Sequence, residues 1–293
     1  MDRRLKLRMQ RYCFSDKRAN FLRIFFIFPW FLYIFFALLL LFLLICTNFT
    51  PMLTTKTKAI VLRTVKYGEG GLVVDMLTEK MGRVSFMVKL PRSRKKGIHK
   101  QLFMPLSLVE VDFDFRAKAS LQRLRDIRMA VPLTGIALHP HKLALAMFLA
   151  EFLLHATRDE NDNEPLFGFV SISLEWLEGV ESGFANFHLI FMIRLSRFIG
   201  FFPNTDGASE GKYFDLLGAC FTSAPPLHGH FLAPEEAAKI SLLMRLNYKT
   251  MHLCAMTRAE RNRCTEVILE YYRLHVPGFP ALRSLEVLRQ LFV

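Results

Sequence analysis

Short runs of alternating apolar and polar residues occupy the stretch from residue 53 to residue 131. In Gly82–Lys89, Val84, Phe86 and Val88 fall on one side and the intervening positions on the other, which is the period of a half-buried strand. The pattern predicts five strands, which are Thr57–Val65, Leu72–Thr78, Gly82–Lys89, Ser107–Phe115 and Ser120–Met129. Because turn residues separate these runs and no long helical pattern interrupts them, we expect an OB-type β-barrel, with a small β-sandwich as the alternative.

From His139 onwards the apolar positions recur with the period of amphipathic helices. Pro140 suits the first position of a helix, and Thr257 and Glu260 have the spacing of a capping box. The helices predicted after the one at Pro140 are Glu164–Gly179, Phe184–Ile199, Pro234–Asn247, Thr257–His275 and Ala281–Phe292, and Asn204–Phe231 is predicted to be an irregular insertion. The expected fold class is therefore α+β, with an N-terminal barrel over residues 52–132 and an all-α helical domain over residues 133–293.

The first 51 residues differ from both of these regions. Eight basic side chains lie within residues 3–23, and residues 24–46 carry no charge and consist mainly of Phe, Leu and Ile. This pattern fits a transmembrane helix with a positive flank on the cytoplasmic side. It also fits translated upstream sequence, because a soluble pattern begins at Met52. We favour the second interpretation and keep a membrane anchor at 24–46 as the alternative.

Charge is distributed unevenly along the chain, which has 39 Lys and Arg, 26 Asp and Glu, and a net charge of +13. Residues 53–128 hold seventeen basic and seven acidic side chains, whereas residues 129–293 hold fourteen and seventeen. A basic front and a slightly acidic back indicate a polyanionic partner for the barrel. The densest run of positive charge follows Lys89, in a predicted loop. The same run of charge would also be expected in a loop that is only solvated and binds nothing.

The nucleic-acid-binding candidates are the basic residues of that loop and of the barrel, namely Lys89, Arg92, Arg94, Lys95, Lys96, Lys100, Arg116, Lys118, Arg123 and Arg125. Such side chains predict backbone-dominated binding that tolerates any sequence and depends strongly on salt. Single-strand binders often add aromatic side chains on which bases stack, and Tyr67 and Phe103 are the candidates for this role. Phe86 and Phe113 lie on the apolar sides of their strands and are expected in the core.

No catalytic constellation or phosphate-binding glycine loop is found, which favours a non-enzymatic binding protein. Asp112 and Asp114 share one strand face and are expected to neutralise neighbouring arginines. The five cysteines form no CxxC pair, which favours a reducing compartment without disulfides. Three candidate zinc ligands, Cys220, His228 and His230, fall short of the four that a structural site needs, so we expect no metal and no cofactor.

Three segments resemble a known family. They are KTKAIVLRTVKYGE at 56–69, LVVDMLTEKMGRVSFMVKLPRSRKK at 72–96 and ANFHLIFMIRLSRFIGFFPN at 185–204. Together they resemble the bacterial recombination mediators of the RecO family, from about Met52 to the C-terminus. The resemblance implies an OB-fold with a helical domain, a cytoplasmic and nucleoid-associated location, binding of single- and double-stranded DNA, and annealing of complementary strands. Many relatives carry a four-cysteine zinc site just after the turn that matches Gly200–Pro203, whereas this insertion holds only Cys220.

The resemblance also implies protein partners. These are RecR, the acidic and aromatic-ended tail of the single-stranded-DNA-binding protein, and, indirectly, RecA, which replaces that protein on DNA. A tail of this kind needs an apolar slot and nearby cations. The helix at Phe184–Ile199 and the turn after it offer Phe191 and Ile199, and we expect the tail to bind there through Arg194, Arg197 and Phe202. If the leader is native, the alternative function is a membrane-tethered module that binds nucleic acid or anionic lipid.

Overall fold

The computed structural model of the chain describes residues 38–39, 53–89, 100–161, 163–208 and 211–291. Met1–Met52 and Leu53–Val293 are two separate units. Of the first unit only Leu38 and Leu39 are described, and both are helical, so the predicted anchor at 24–46 otherwise lies outside the described residues. Among the helices that the structure describes, none combines the length and the apolar character needed to cross a membrane.

Five strands close into a barrel at the start of the second unit. They are β1 (Leu53–Tyr67), β2 (Gly71–Thr78), β3 (Gly82–Lys89), β4 (Leu108–Phe115) and β5 (Gln122–Val131). The order around the barrel is β1-β2-β3-β5-β4; the β3–β5 pair is parallel and the other pairs are antiparallel. Because the long β1 pairs with both β2 and β4, the sheet closes on itself. The predicted barrel is therefore confirmed, and the sandwich alternative is wrong.

The interior of the barrel follows the alternation of the sequence. On β3, Val84, Phe86 and Val88 are buried, and the ring of Phe86 meets the ring of Phe113 on β4 edge to face at 4.9 Å. Burial of a Phe side chain contributes about 1.5–3 kcal/mol to folding, and an aromatic pair adds about 0.5–1.5 kcal/mol. These two rings, predicted as core residues, therefore stabilise the barrel and are not available to a ligand.

An irregularity in β1 lets the barrel pack on the helices. The register of β1 against β2 shifts between Val61 and Arg63, so Leu62 is the extra residue of a bulge. Val61 belongs to the apolar cluster inside the barrel, whereas Ile60 and Leu62 belong to the cluster of the helical region. At a second contact, Arg83 Nη1 on β3 donates to the carbonyl oxygen of Leu154 at 2.9 Å. The outer side of the barrel therefore contributes to the apolar core of the helical region, and the barrel interior forms a separate apolar cluster.

The rest of the second unit is mainly helical. The helices are α1 (Thr134–Leu138), α2 (Pro140–Ala156), α3 (Glu164–Gly179), α4 (Phe187–Phe198), α5 (Pro234–Arg245), α6 (Arg258–His275) and α7 (Leu285–Arg289). The predicted start at Pro140 and the capping box of Thr257 and Glu260 are both confirmed. The combination of a barrel and a helical region confirms the α+β fold class.

Two short helices depart from the sequence-based expectation, and in each case a distant glutamate caps the start of the helix. The first, α1, was not predicted; Glu178 on α3 accepts the backbone N–H groups of Gly135 and Ile136 at 2.6 and 2.8 Å. The second, α7, is shorter than the predicted Ala281–Phe292, and Glu151 on α2 accepts the N–H of Ser284 at 2.8 Å at its start. When a carboxylate on another helix caps a helix N-terminus, the sequence next to the capped helix shows no capping signal.

The insertion at Asn204–Phe231 contains a small sheet, so the prediction of an irregular segment was wrong for part of it. Its strands are β6 (Tyr213–Asp215), β7 (Cys220–Thr222) and β8 (Phe231–Leu232), in the order β7-β6-β8. Strands of two or three residues are too short to show a period of two, which explains why the sequence pattern missed them.

Candidate nucleic-acid interface

The turn between β4 and β5 presents two predicted nucleic-acid-binding residues, Arg116 and Lys118, to solvent. Its backbone is held by Gln122, whose side chain is only 4% exposed. Gln122 Nε2 donates to the carbonyl oxygens of Ala119 and Arg116 at 2.8 and 3.0 Å, and its Oε1 accepts the N–H of Arg116 at 2.9 Å. The sequence analysis missed this residue, although a polar side chain at an inward position of a strand was the available signal. Gln122 fixes the turn from which both cations project.

Five predicted cations are exposed and have neither an ion pair nor a side-chain hydrogen bond within the described residues; they are Lys89, Lys100, Arg116, Lys118 and Arg123. Met87 on β3 is opposite Arg123 on β5, and Lys89 follows two positions later at the end of β3. The structure thus brings Lys89 and Arg123 to neighbouring strands. Cations without carboxylate partners are free to neutralise phosphates, which is the main source of affinity for a nucleic-acid backbone.

The next arginines of β5 are paired with carboxylates of β4. Arg125 Nη1 donates to Asp114 Oδ1 at 3.0 Å and to Thr54 Oγ1 at 3.2 Å. Arg128 Nε donates to Glu110 Oε2 at 2.8 Å, and this hydrogen bond lowers the pKa of Glu110 and raises that of Arg128. The expectation that Asp112 and Asp114 neutralise neighbouring arginines is confirmed for Asp114, whereas Asp112 has no ion pair among the described residues. A polyanion that binds Arg125 has to displace this carboxylate first, so Arg125 is less available than Arg123.

The two candidate stacking residues have different environments. Tyr67 stands at the end of β1 and is 63% exposed. Phe103 is 3% exposed and belongs to the apolar cluster inside the barrel, where its backbone carbonyl accepts a hydrogen bond from Thr64 at 2.9 Å. The prediction for Phe103 was therefore wrong, because the 3-10 turn Lys100–Phe103 folds its apolar end into the barrel. Tyr67 keeps its candidate role.

Four predicted nucleic-acid-binding residues, Arg92, Arg94, Lys95 and Lys96, lie outside the described residues. Their flanking neighbours, Lys89 and Lys100, are both exposed. Binding of a nucleic acid by these four side chains stays a prediction.

The predicted peptide-binding residues lie on α4 and in the turn after it. Arg194 is half-buried and donates from Nη2 to the carbonyl oxygen of Leu246, the residue that ends α5, at 2.9 Å. Arg197 is exposed, and its guanidinium lies 4.2 Å from the ring centre of Phe202. Phe191 is fully buried and cannot line a surface slot, which corrects that part of the prediction. Arg197 and Phe202 are therefore the pair that a partner can reach.

The candidate zinc ligands in the insertion point to different partners. His228 Nε2 lies 3.3 Å from Asp215 Oδ1, and His230 Nδ1 lies 3.1 Å from Glu270 Oε1. Asp215 Oδ1 also accepts the N–H of Leu217 at 2.8 Å, which uses this oxygen within the turn after β6. In the part of the chain that the structure describes, no group of three or more His, Cys, Asp or Glu side chains is arranged to hold a metal ion. The expected absence of zinc stays a prediction.

Comparison with known proteins identifies the family of this fold. A family profile described as "Recombination protein O N terminal" matches residues 52–132, and one described as "Recombination protein O C terminal" matches residues 138–286. The chain belongs to the RecO family. The first RecO profile covers the barrel, and the second covers most of the helical region, which confirms the family that the three sequence segments indicated.

Full-length relatives support the same assignment. The DNA repair protein RecO of Phocaeicola vulgatus is 49% identical over 237 residues, which cover 81% of this chain and 98% of the relative. The RecO protein of Bacteroides fragilis is 49% identical over 238 residues, with the same coverage. That of Porphyromonas gingivalis is 29% identical over 242 residues, 80% of this chain and 98% of the relative. These names describe the relatives as DNA repair proteins and mention no enzymatic activity.

Proposed function

We propose that this chain binds single- and double-stranded DNA through the cationic side of its barrel and anneals complementary strands. We further propose that it acts with RecR in the bacterial cytoplasm and helps RecA to replace the single-stranded-DNA-binding protein. Membership of the RecO family supports a role in DNA repair. The observation that carries the proposal is the set of five exposed cations that have no carboxylate partner in the described part of the chain, in contrast to the paired arginines next to them.

Annealing follows from this arrangement without catalytic residues. Two complementary strands repel each other because both backbones are negatively charged, and cations that neutralise phosphates lower this repulsion. Contacts to the backbone leave the base edges free, so that the bases of two bound strands can pair. Arg123 and the turn residues Arg116 and Lys118 make such contacts in our proposal.

An annealing assay with two complementary labelled oligonucleotides tests the proposal. The test variant replaces Lys89, Arg116, Lys118 and Arg123 with Gln, and each lost phosphate contact is expected to reduce the log–log salt slope for single strands by about 0.7. The matched control replaces four exposed cations of the helical region, Lys249, Arg258, Arg273 and Arg283, with Gln, so that both variants have the same net charge. We expect slow annealing and weak binding in the test variant and near-native behaviour in the control.

Two results contradict the proposal. If both variants lose binding equally, affinity depends on the net charge of the protein and not on the four cations of the barrel. If neither variant changes annealing, the DNA-binding surface lies elsewhere. Thermal unfolding of each variant, followed by circular dichroism, shows whether a loss of binding comes from a loss of fold.

We also propose that the exposed Arg197 and the half-buried Phe202 bind the acidic tail of the single-stranded-DNA-binding protein. Phe202 supplies an apolar surface for an aromatic end group, and Arg197 supplies a cation for a carboxylate. The guanidinium already lies over the Phe202 ring, so both groups are in place before a peptide arrives. Arg194, whose guanidinium is used at the end of α5, contributes to the stability of this region.

A further inference from the structure

Three residues lie side by side at one end of the barrel. Tyr67 on β1 is opposite Gly71 on β2, and Gly71 is opposite Lys89 on β3. Directly opposed residues of antiparallel strands project from the same face of a sheet. Tyr67 is 63% exposed and Lys89 is also exposed, so this face is the outer face of the barrel.

Gly71 leaves a gap between the other two residues. A Cβ atom at position 71 would lie 2.6 Å from the carbonyl oxygen of Tyr67, so this position excludes a side chain. Tyr67 and Lys89 are separated by two strand spacings, which is about 9.6 Å. A flat ring needs about 3.5 Å on each of its faces for van der Waals contact. Two strand spacings are therefore wide enough for one nucleobase between side chains that project outward at positions 67 and 89.

The gap opens onto an apolar strip. In the next row of outer-face positions, Val65 is opposite Val73, Val73 is opposite Met87, and Arg123 follows on β5. Val65 is 46% exposed, and Val73 and Met87 are half-buried. Partly exposed apolar side chains, beside cations that have no ion pair within the described residues, are complementary to a polyanion with flat apolar surfaces. A single-stranded nucleic acid has such surfaces, whereas a duplex keeps its base faces stacked inside.

We propose that Tyr67, Gly71 and Lys89 form a slot for one unpaired nucleobase. The Tyr67 ring stacks on the base, and the Lys89 ammonium binds the adjacent phosphate. This inference rests on the proposed binding of single strands by the barrel and adds the residue that recognises the base itself. Because every base has a π-face, the slot accepts any sequence, and it makes affinity depend on the presence of bases.

Fluorescence anisotropy with two labelled oligonucleotides of equal length tests the slot. One is an oligothymidylate, and the other has the same backbone without bases. Tyr67→Ala is expected to weaken binding of the oligothymidylate about 5- to 150-fold and to leave binding of the abasic strand unchanged. Tyr67→Phe keeps the ring and is expected to bind both strands like the unmodified protein.

Two further variants separate charge from stacking. Lys89→Met keeps most of the aliphatic stem, so it is expected to weaken binding of both oligonucleotides and to reduce the salt slope by about 0.7. Leu227→Ala, at a fully exposed position of the insertion, is the control for a change of an apolar surface residue and is expected to bind like the unmodified protein.

The outcomes distinguish the slot from the proposed function. If Tyr67→Ala binds oligothymidylate normally while Lys89→Met does not, the slot is refuted and backbone binding stands. If Tyr67→Ala weakens binding of both oligonucleotides equally, the effect of Tyr67 is structural and the slot is again refuted. If the unmodified protein binds neither oligonucleotide, the proposed function itself fails, and the slot fails with it.

Discussion

Arg125 donates to the Asp114 carboxylate at 3.0 Å, whereas Arg123, two residues earlier on the outer face of β5, has no such partner in the described part of the chain. The difference arises from the register of β4 and β5. Asp114 is opposite Arg123, but the strands are irregular between Asp112 and Phe113, and the carboxylate reaches Arg125 instead. One arginine of the pair is therefore neutralised, and the other remains available.

This contrast leads to a prediction about salt dependence. Arg123→Gln removes a free cation, so it is expected to lower the slope of log affinity against log salt for single-stranded DNA by about 0.7. Arg125→Gln removes a cation that is already paired, so the slope is expected to change by less than half of that amount. Titrations at four salt concentrations measure both slopes. Equal slopes for the two variants would show that the ion pair with Asp114 does not persist when DNA binds.

A second prediction concerns Gln122, which supports the turn that presents Arg116 and Lys118. Gln122→Met has a similar volume but none of the three hydrogen bonds, so the N–H of Arg116 and the carbonyl oxygen of Ala119 lose their partner in a partly buried turn. We expect a loss of about 1–3 kcal/mol in the free energy of unfolding, measured with urea.

The same variant has an expected effect on DNA binding. A less ordered turn is expected to reduce affinity, because Arg116 and Lys118 then lose entropy when they bind. Lys58→Gln, at an exposed position of β1 outside the turn, is the control for stability. If Gln122→Met is as stable as the unmodified protein, the hydrogen bonds of Gln122 do not determine the conformation of the turn.

Sequence periodicity was sufficient for the barrel and for the long helices, because alternation and capping signals such as Thr257 and Glu260 are local. Local patterns could not show that Glu178 caps α1, since the carboxylate comes from another helix. The same limit applied to the site. Charge density identified the basic residues of the barrel, but only the contacts of the folded chain show which arginines have carboxylate partners. Likewise, only the fold of the 3-10 turn Lys100–Phe103 shows that Phe103 faces inward.

A third prediction concerns the pH dependence of stability. His188 is 1% exposed, and burial, with a smaller effect of Arg261, lowers its pKa from 6.5 to about 3. Thr265 Oγ1 donates to the carbonyl oxygen of Arg261 at 2.8 Å, so it accepts a hydrogen bond from His188 Nε2, which lies 3.1 Å away. Nδ1 is buried and has no hydrogen-bond partner among the described residues, so a second proton there has no acceptor.

The folded protein therefore keeps His188 neutral at pH values at which the unfolded chain protonates it. The contribution of neutral His188 to the free energy of unfolding is fully present above pH 6.5. It is lost as the pH falls towards 3, at up to about 1.4 kcal/mol per pH unit. His188→Gln retains an N–H donor for Thr265 and does not titrate. Urea unfolding at pH 7.5, 6.0 and 5.0 is expected to show a larger loss of stability in the unmodified protein than in this variant. Parallel losses would mean that His188 is protonated in the folded state.

The last prediction separates the two arginines of α4. Arg197 is exposed over Phe202, so Arg197→Glu is expected to weaken binding of an acidic peptide with a C-terminal Phe at least tenfold, since it replaces attraction by repulsion. Arg194 instead binds the Leu246 carbonyl, so Arg194→Gln is expected to lower the free energy of unfolding by about 1–3 kcal/mol. Anisotropy with the labelled peptide measures the first effect, and the same peptide ending in Ala is its control. Binding of Arg197→Glu to DNA through the barrel is expected to stay normal, and full peptide affinity in that variant would place the peptide site away from α4.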